Sequence, residues 1–225
     1  MVSKPPDQAV VNNDKDTQHK VEFVYFDLGN VLAAFDVDRA CDNLAKRFGV
    51  EAKQVLATLW TSGAQHCYEH GHVDDEAFAT LAREGLGLAS DAASTDELLD
   101  LLSDMFEPIE PMADVVDAVR RNGVGVGILS NTCVAHWRWI LEQDYPALRG
   151  NFDQIVLSYE HGVMKPTASI YKIAQRFAGC PPEAILFLDD RHENVEAAIQ
   201  CGWQAFLFTD APSAGELLRC TGVID

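Results

Sequence analysis

VEFVYFDLGN, residues 21–30, is the stretch on which the fold turns. VEFVYF is apolar and rich in β-branched and aromatic side chains, the composition of a strand buried on both faces. It stops at Asp27, and Leu28-Gly29-Asn30 is a turn signal. Four further short apolar runs, at 124–129, 154–157, 184–188 and 204–208, repeat the pattern. Helical periodicity separates them. Residues 111–122 carry Val115, Val116 and Val119 on one face, with Pro111 at the start and Gly123 beyond the end. Residues 166–177 carry Ile170, Ile173, Ala174 and Phe177 at helical spacing, and residues 193–200 run up to Gly202. Strands alternating with helices in this way predict an α/β fold, a Rossmann-like doubly wound parallel sheet.

The rhythm breaks over 36–107, where no run reads as a strand. Val37, Cys41, Leu44 and Phe48 form one helical stripe; Val55, Leu56, Leu59 and Trp60 a second; Ala77, Phe78, Leu81 and Ala82 a third. A fourth helix opens on Ser94 and Glu97, an S-x-x-E capping box, and would bury Leu98, Leu101, Leu102 and Met105. A small helical cap over 36–107 is therefore expected between two parts of an α/β core, 21–35 and 108–225. Residues 1–20 are polar, without the apolar centre of a secretory signal, and read as a disordered tail.

With 17 Lys+Arg against 35 Asp+Glu, the 225-residue chain carries a formal charge of −18. Such a surface repels phosphate backbones and anionic membranes, so neither nucleic acid nor a membrane is an expected partner. An anionic small molecule would need a metal ion or buried basic groups to reverse the field locally. The six cysteines lie far apart, with no CxxC pair, which reads as reduced thiols in a cytoplasmic protein. Nothing in the sequence sets an oligomeric state.

Ligands of an open parallel sheet gather beyond the carboxyl ends of its strands. Past the first predicted strand stands Asp27; past the second, Ser130, Asn131 and Thr132; past the third, Ser158 and then Lys165; past the fourth, Asp189 and Asp190, with Asn194 close behind. Three carboxylates, a lysine and a hydroxyl converging on one edge suit phosphoryl transfer. The carboxylates are hard oxygen ligands for Mg²⁺. The Ser130-Asn131-Thr132 turn leads into a helix whose first amides can cradle phosphate oxygens. Lys165 offers a fixed positive charge, and a carboxylate can attack phosphorus to give an aspartyl-phosphate.

FDLGNVL (26–32), LSNT (129–132), GVMKP (162–166) and FLDDRHEN (187–194) resemble, in order and in strand context, the four motifs of the haloacid dehalogenase superfamily. The resemblance runs from Val21 to the C-terminus, and the helical insert is similar to the family's small cap. Within the superfamily the chain is similar to bacterial sugar-phosphate phosphatases, the α-D-glucose-1-phosphate phosphatases among them, and to the phosphatase domains of soluble epoxide hydrolases. The resemblance implies Asp27 as nucleophile and metal ligand and the Gly29 carbonyl as a further ligand. It implies Ser130 and Lys165 on the phosphoryl group, Asn131 and Thr132 lining it by backbone contacts, Asp190 on the metal, Asp189 acting through a metal-bound water, and Asn194 orienting that loop. It therefore implies a Mg²⁺-dependent phosphatase of a small phosphorylated metabolite, a sugar phosphate such as a sugar 1-phosphate.

The common phosphatase pattern of this superfamily has a second Asp two residues after the nucleophile, to protonate the leaving group. Here that position is Gly29. Turnover is then expected to fall steeply with leaving-group pKa, with 1-phosphates and aryl phosphates exceeding 6-phosphates, unless the cap supplies the proton. Glu69 and His70, in the stretch HCYEHGH (66–72) between two cap helices, are the residues placed to contact substrate or to do so. A zinc site at His66, Cys67, His70 and His72 matches no common spacing. Two other readings stand beside the phosphatase. A 2-haloacid dehalogenase would use Asp27 on carbon without a metal, which the Asp189-Asp190 pair argues against. A non-catalytic phosphate-binding module would explain Gly29 but not the retained Asp27, Lys165 and Asp190.

Overall fold

The structure, a computed structural model, describes residues 20–225. The tail expected over 1–20 lies, apart from Lys20, outside the described residues. The strands are β1 (Phe23–Phe26), β2 (Ala33–Phe35), β3 (Phe106–Pro108), β4 (Gly125–Ser130), β5 (Gln154–Leu157), β6 (Ile185–Asp189) and β7 (Gln204–Leu207). Five of them form one sheet in the order β5-β4-β1-β6-β7, with every pairing parallel. The chain lays β4 and β5 to one side of β1 and then β6 and β7 to the other. The reversal of strand order thus falls beside β1, and Asp27 is the first residue beyond it. Sheets of this kind leave a crevice at that point.

Alternation along β1 divides the interior. Val24 and Phe26 enter one apolar cluster, Phe23 and Tyr25 another on the opposite face. Val24, Tyr25 and Phe26 have no exposed surface, and burial of each stabilises by roughly 1.5–3 kcal/mol. After the helical insertion described next, the chain returns through α6 (Met112–Arg121), α7 (Val134–Glu142), α8 (Ser158–His161), α9 (Ala168–Ala178), α10 (His192–Gln200) and α11 (Ala211–Cys220). Residues of α6, α7 and α11 pack with Val24 and Phe26, and those of α9 and α10 with Phe23 and Tyr25. The buried Tyr25 hydroxyl donates to the Ala174 carbonyl at 2.8 Å, so its one polar atom is satisfied. On α9 the buried positions are Ile170, Tyr171 and Ala174, while Phe177 is exposed.

Residues 37–103 form α1 (Val37–Phe48), α2 (Ala52–Leu56), which continues as a π-helical turn through Ala57–Thr61, α3 (Ala64–Glu69), α4 (Asp75–Gly85) and α5 (Thr95–Ser103). The starts are set locally. Asp36 accepts from the Asp38 and Arg39 amides, Asp74 from Ala77, and Ser94 from Glu97 as its capping box requires. Two details differ from the periodicity. The buried face of α4 is Phe78, Ala79, Ala82 and Arg83, with Ala77 and Leu81 outside. In the second stripe Leu56 is exposed.

The expectation of no strand over 36–107 is corrected at its end, where β3 takes in Phe106 and Glu107. β2 and β3 pair antiparallel, Ala33 against Pro108 and Phe35 against Phe106, and close the neck through which the chain leaves and re-enters the core. Three-residue strands are too short for alternation to register, and their partners lie about seventy residues apart in sequence. Arg39 braces this ribbon by pairing with Asp104 (2.7 Å) and Glu107 (2.8 Å). Further contacts seat the insertion on the core. Arg138 of α7 reaches Asp75, Asp96 and Asp100 at 3.2–3.8 Å. Tyr145 donates to the Phe106 carbonyl at 2.7 Å. Gly71, with φ +70°, approaches Tyr159 so closely that a Cβ would lie 2.2 Å from its carbonyl oxygen. Because α7 is covered by the sheet on one side and the insertion on the other, Trp137 and Trp139 both pack partly buried against the same cluster despite their two-residue spacing.

Candidate active site

Beyond the carboxyl ends of β1, β4 and β6 the polar groups converge. The Lys165 ammonium lies 2.8 Å from Asp27 Oδ1 and 2.6 Å from Asp189 Oδ2. All three are buried. Asp27, Asp189 and Asp190 each offer a carboxylate oxygen within 4.8 Å of the others. Among the described residues no other group of three His, Cys, Asp or Glu side chains comes close enough to share an ion, so His66, Cys67, His70 and His72 do not form one.

Each member is held by a different element. Asp27 Oδ1 accepts from the Leu28 amide at 2.6 Å as the chain turns off β1. Asn30, at φ +55°, directs its amide to Asp190 Oδ2 at 3.1 Å, tying the first turn to the last. Asp189 has no exposed surface. Besides Lys165 it accepts from the Arg191 amide at 2.9 Å and from Asn194 Nδ2 at 2.9 and 3.1 Å. Held by these donors, it is the carboxylate that positions Lys165. Asn131 grips the Lys165 peptide from both sides, donating to its carbonyl (2.9 Å) and accepting from its amide (2.8 Å).

The electrostatics follow from burial. Desolvation pushes the Asp27 carboxyl up to about 7; Lys165 pulls it back and Asp189 pushes it further up. Burial alone would lower Lys165, but Asp27 and Asp189 hold it above its ordinary value. Ionised together, three carboxylates against one lysine carry two uncompensated negative charges. An all-oxygen, net-negative donor set at a crevice fits a hard divalent cation such as Mg²⁺.

The crevice encloses about 430 Å³, within the roughly 300–1,000 Å³ of small-molecule sites. Its floor includes Asp27, Gly29, Lys165, Asp190 and Asn194; Phe35, Val37, Trp60, His66 and Glu69 form the far wall. A side cavity of about 80 Å³ opens beside Ser130, bounded by Glu69, Phe106 and His136 among others. The Ser130 hydroxyl has no hydrogen-bond partner among the described residues and borders this space.

A family model of haloacid dehalogenase-like hydrolases matches residues 21–202, most of the chain and all of these groups. The chain belongs to the haloacid dehalogenase-like hydrolases. Over 192 residues this hydrolase is 27% identical to an (S)-2-haloacid dehalogenase of Pseudomonas putida, covering 81% of the chain and 82% of the relative. It is 23% identical to a D-ribitol-5-phosphate phosphatase of Bacteroides thetaiotaomicron, covering 83% and 91%. In fold it is similar to a haloacid dehalogenase family enzyme of Bacteroides thetaiotaomicron solved with magnesium and inorganic phosphate. That likeness has a TM-score of 0.73 at 24% identity and covers 84% of the chain and 95% of the enzyme.

Within the hydrolase the expected residues are not all placed alike. Asp27, Gly29, Lys165, Asp189, Asp190 and Asn194 come together. Asn131 does so as a brace of Lys165 rather than only through its backbone. Thr132 borders the side cavity with Ser130 and Asn131, and its amide donates to Ser158 Oγ at 3.0 Å. Glu69 lines both cavities, whereas His70 lines neither; its ring stacks on His72 and meets His66 edge-on. Arg191 pairs with Glu193, and Cys133 is buried with its thiol pushed up by desolvation. Sequence reasoning did not single out Asn30, Phe35, Gln65 or His136. Asn30 stands inside the first motif and was within reach; the others depend on how the insertion is seated.

Proposed function

We propose that the protein is a Mg²⁺-dependent phosphatase of a small phosphorylated metabolite, a sugar phosphate such as a sugar 1-phosphate, acting through an aspartyl-phosphate. The observation that carries this reading is Lys165, buried between Asp27 and Asp189, with Asp190 beside them. A fixed cation next to a nucleophilic carboxylate is what a transferring phosphoryl group requires. Asp27 attacks phosphorus, Lys165 and Ser130 hold the equatorial oxygens, and Asp189, anchored by Asn194 and the Arg191 amide, keeps Lys165 in line. Asp27, Asp190 and the Gly29 carbonyl would hold the metal, with Asp189 acting through water. Bound there, Mg²⁺ would neutralise the excess negative charge and let the phosphate dianion approach. The free cysteines, Cys67 and Cys220 exposed among them, fit a reducing cytoplasm, and no described helix is long and apolar enough to cross a membrane.

The likeness to (S)-2-haloacid dehalogenases favours a second reading, in which Asp27 attacks carbon. One experiment separates the two. Phosphate release is measured from p-nitrophenyl phosphate and a sugar-phosphate panel, and halide release from 2-haloacids, each after exhaustive EDTA treatment and again with Mg²⁺ restored. Phosphate release is expected only with the metal. Turnover indifferent to EDTA, with halide released from a 2-haloacid, would overturn the phosphatase.

A further inference from the structure

We propose that Glu69, reaching in from the helical insertion, is the general acid and base of this site, giving the leaving oxygen its proton and recovering one from water. The assignment rests on the phosphatase reading above. An alkoxide leaving group needs a proton, and the titratable groups bordering the two cavities leave few sources. Asp27 is the nucleophile. Asp190 is tied to Asn30 beside the metal group. Lys165 is fixed in its charged form by two carboxylates. Arg191 and Glu193 are exposed and paired with each other. Burial pushes His136 down to about 4, so its ring is neutral at pH 7, and His66 is exposed. Residue 29 has no side chain, and a Cβ there would lie 3.1 Å from the edge of the Phe35 ring.

Glu69 is placed as the others are not. It borders both the crevice and the side cavity beside Ser130. Gln65, one turn earlier on α3 and itself buried, donates to Glu69 Oε1 at 3.0 Å and fixes the carboxyl. The Glu69 carbonyl accepts from Ser158 Oγ at 2.6 Å, and that oxygen accepts in turn from the Thr132 amide. One core hydroxyl therefore holds the insertion residue and the turn after β4 in register. Desolvation pushes the Glu69 carboxyl up to about 7, with Gln65 and Arg191 opposing, so near neutral pH it can both give and take a proton.

The steps balance. As Asp27 bonds to phosphorus, the bond from phosphorus to the leaving oxygen breaks and Glu69 passes its proton to that oxygen. The Glu69 carboxylate then takes a proton from the water attacking the aspartyl-phosphate. Inorganic phosphate leaves, Asp27 is again a carboxylate, and Glu69 is again protonated.

The test is Glu69→Gln with Mg²⁺ present, on a hexose 6-phosphate and on p-nitrophenyl phosphate. The alkyl substrate, which needs a proton in the first step, should lose on the order of 10²–10⁴-fold in kcat with no burst. The aryl substrate leaves as a stable phenolate. It should show a rapid burst of one p-nitrophenolate per active site followed by slow turnover, because only the second step then lacks its base. Wild-type turnover retained by Glu69→Gln, or an aryl burst slowed as much as alkyl turnover, overturns the assignment. If Gln disturbs α3, formate should restore turnover to Glu69→Ala in proportion to its concentration, and absence of rescue counts against the proposal. Lack of phosphate release by the wild type would instead overturn the phosphatase reading, and this assignment with it.

Discussion

Asp27→Asn is expected to abolish turnover, by a factor on the order of 10⁴–10⁶, the scale seen when a nucleophile is removed from a covalent mechanism. An amide of the same shape cannot attack phosphorus. The fold should survive, because the amide oxygen can still accept from the Leu28 amide at the end of β1. A second readout separates lost chemistry from lost structure. Burial raises the Asp27 carboxyl from an unfolded value near 3.8 to about 7. Between those values the native state binds the extra proton, so this group's contribution to stability is full below about pH 4 and is lost as pH rises through about 7. In metal-free buffer the wild type should therefore lose stability across that window on account of Asp27, and the Asn variant should not. Denaturant midpoints for the two proteins at pH 4.5 and pH 8 would show it. Substantial residual phosphatase activity in a clean Asn preparation would sink the covalent mechanism. An Asn variant that weakens at pH 8 relative to the wild type would sink the electrostatic account.

Lys165→Met should damage both activity and stability. The ammonium is enclosed by Asp27 and Asp189, and a thioether of similar length leaves two carboxylates facing each other without a counter-charge. Breaking a buried pair from one side costs about 3–5 kcal/mol, which in a chain of this size corresponds to a drop in Tm on the order of 10 °C. Turnover should fall by at least about 10²-fold, since a fixed donor to the phosphoryl oxygens is gone. Adding Asp189→Asn to Lys165→Met should restore part of the stability and none of the activity, because the repulsion is relieved while the cation stays missing. Calorimetry of the single and double variants in magnesium-free buffer checks this. A double variant no more stable than the single one would show that Asp189 and Lys165 are not coupled as the geometry requires.

The parallel sheet and its catalytic edge were legible because both are written locally. Each strand is a short apolar run stopped by a polar residue, and that residue is the one delivered to the crevice. Asp27, Ser130, Asp189 and Asp190 needed no knowledge of packing to be placed at strand ends. Lys165 needed only the position of β5, and Asn194 the start of α10. The side of the site contributed by the insertion was not legible in the same way. Glu69 and His70 are neighbours at the end of one helix, and nothing in HCYEHGH states which of them turns inward. The answer comes from Ser158, nearly ninety residues on, which takes hold of the Glu69 carbonyl. Phe35 and Phe106 likewise face each other across a ribbon whose strands are too short to signal themselves. The same Ser158 hydroxyl accepts from the Thr132 amide, a tie that the Ser130-Asn131-Thr132 turn does not announce.

The apolar cluster on the Val24 and Phe26 face of the sheet runs without a break into the insertion, through Leu102 and Leu44 to Phe78. Two parts that share an interior are not interchangeable modules. Removing the insertion would expose the part of that interior it shares with the core, and grafting a foreign one would have to match it side chain by side chain. Divergence toward new substrates is thereby channelled to the few residues at the rim of the crevice, Trp60 and His66 among them, which can change one at a time while the shared interior and Glu69 stay intact. Heat should accordingly melt the chain in one transition rather than two.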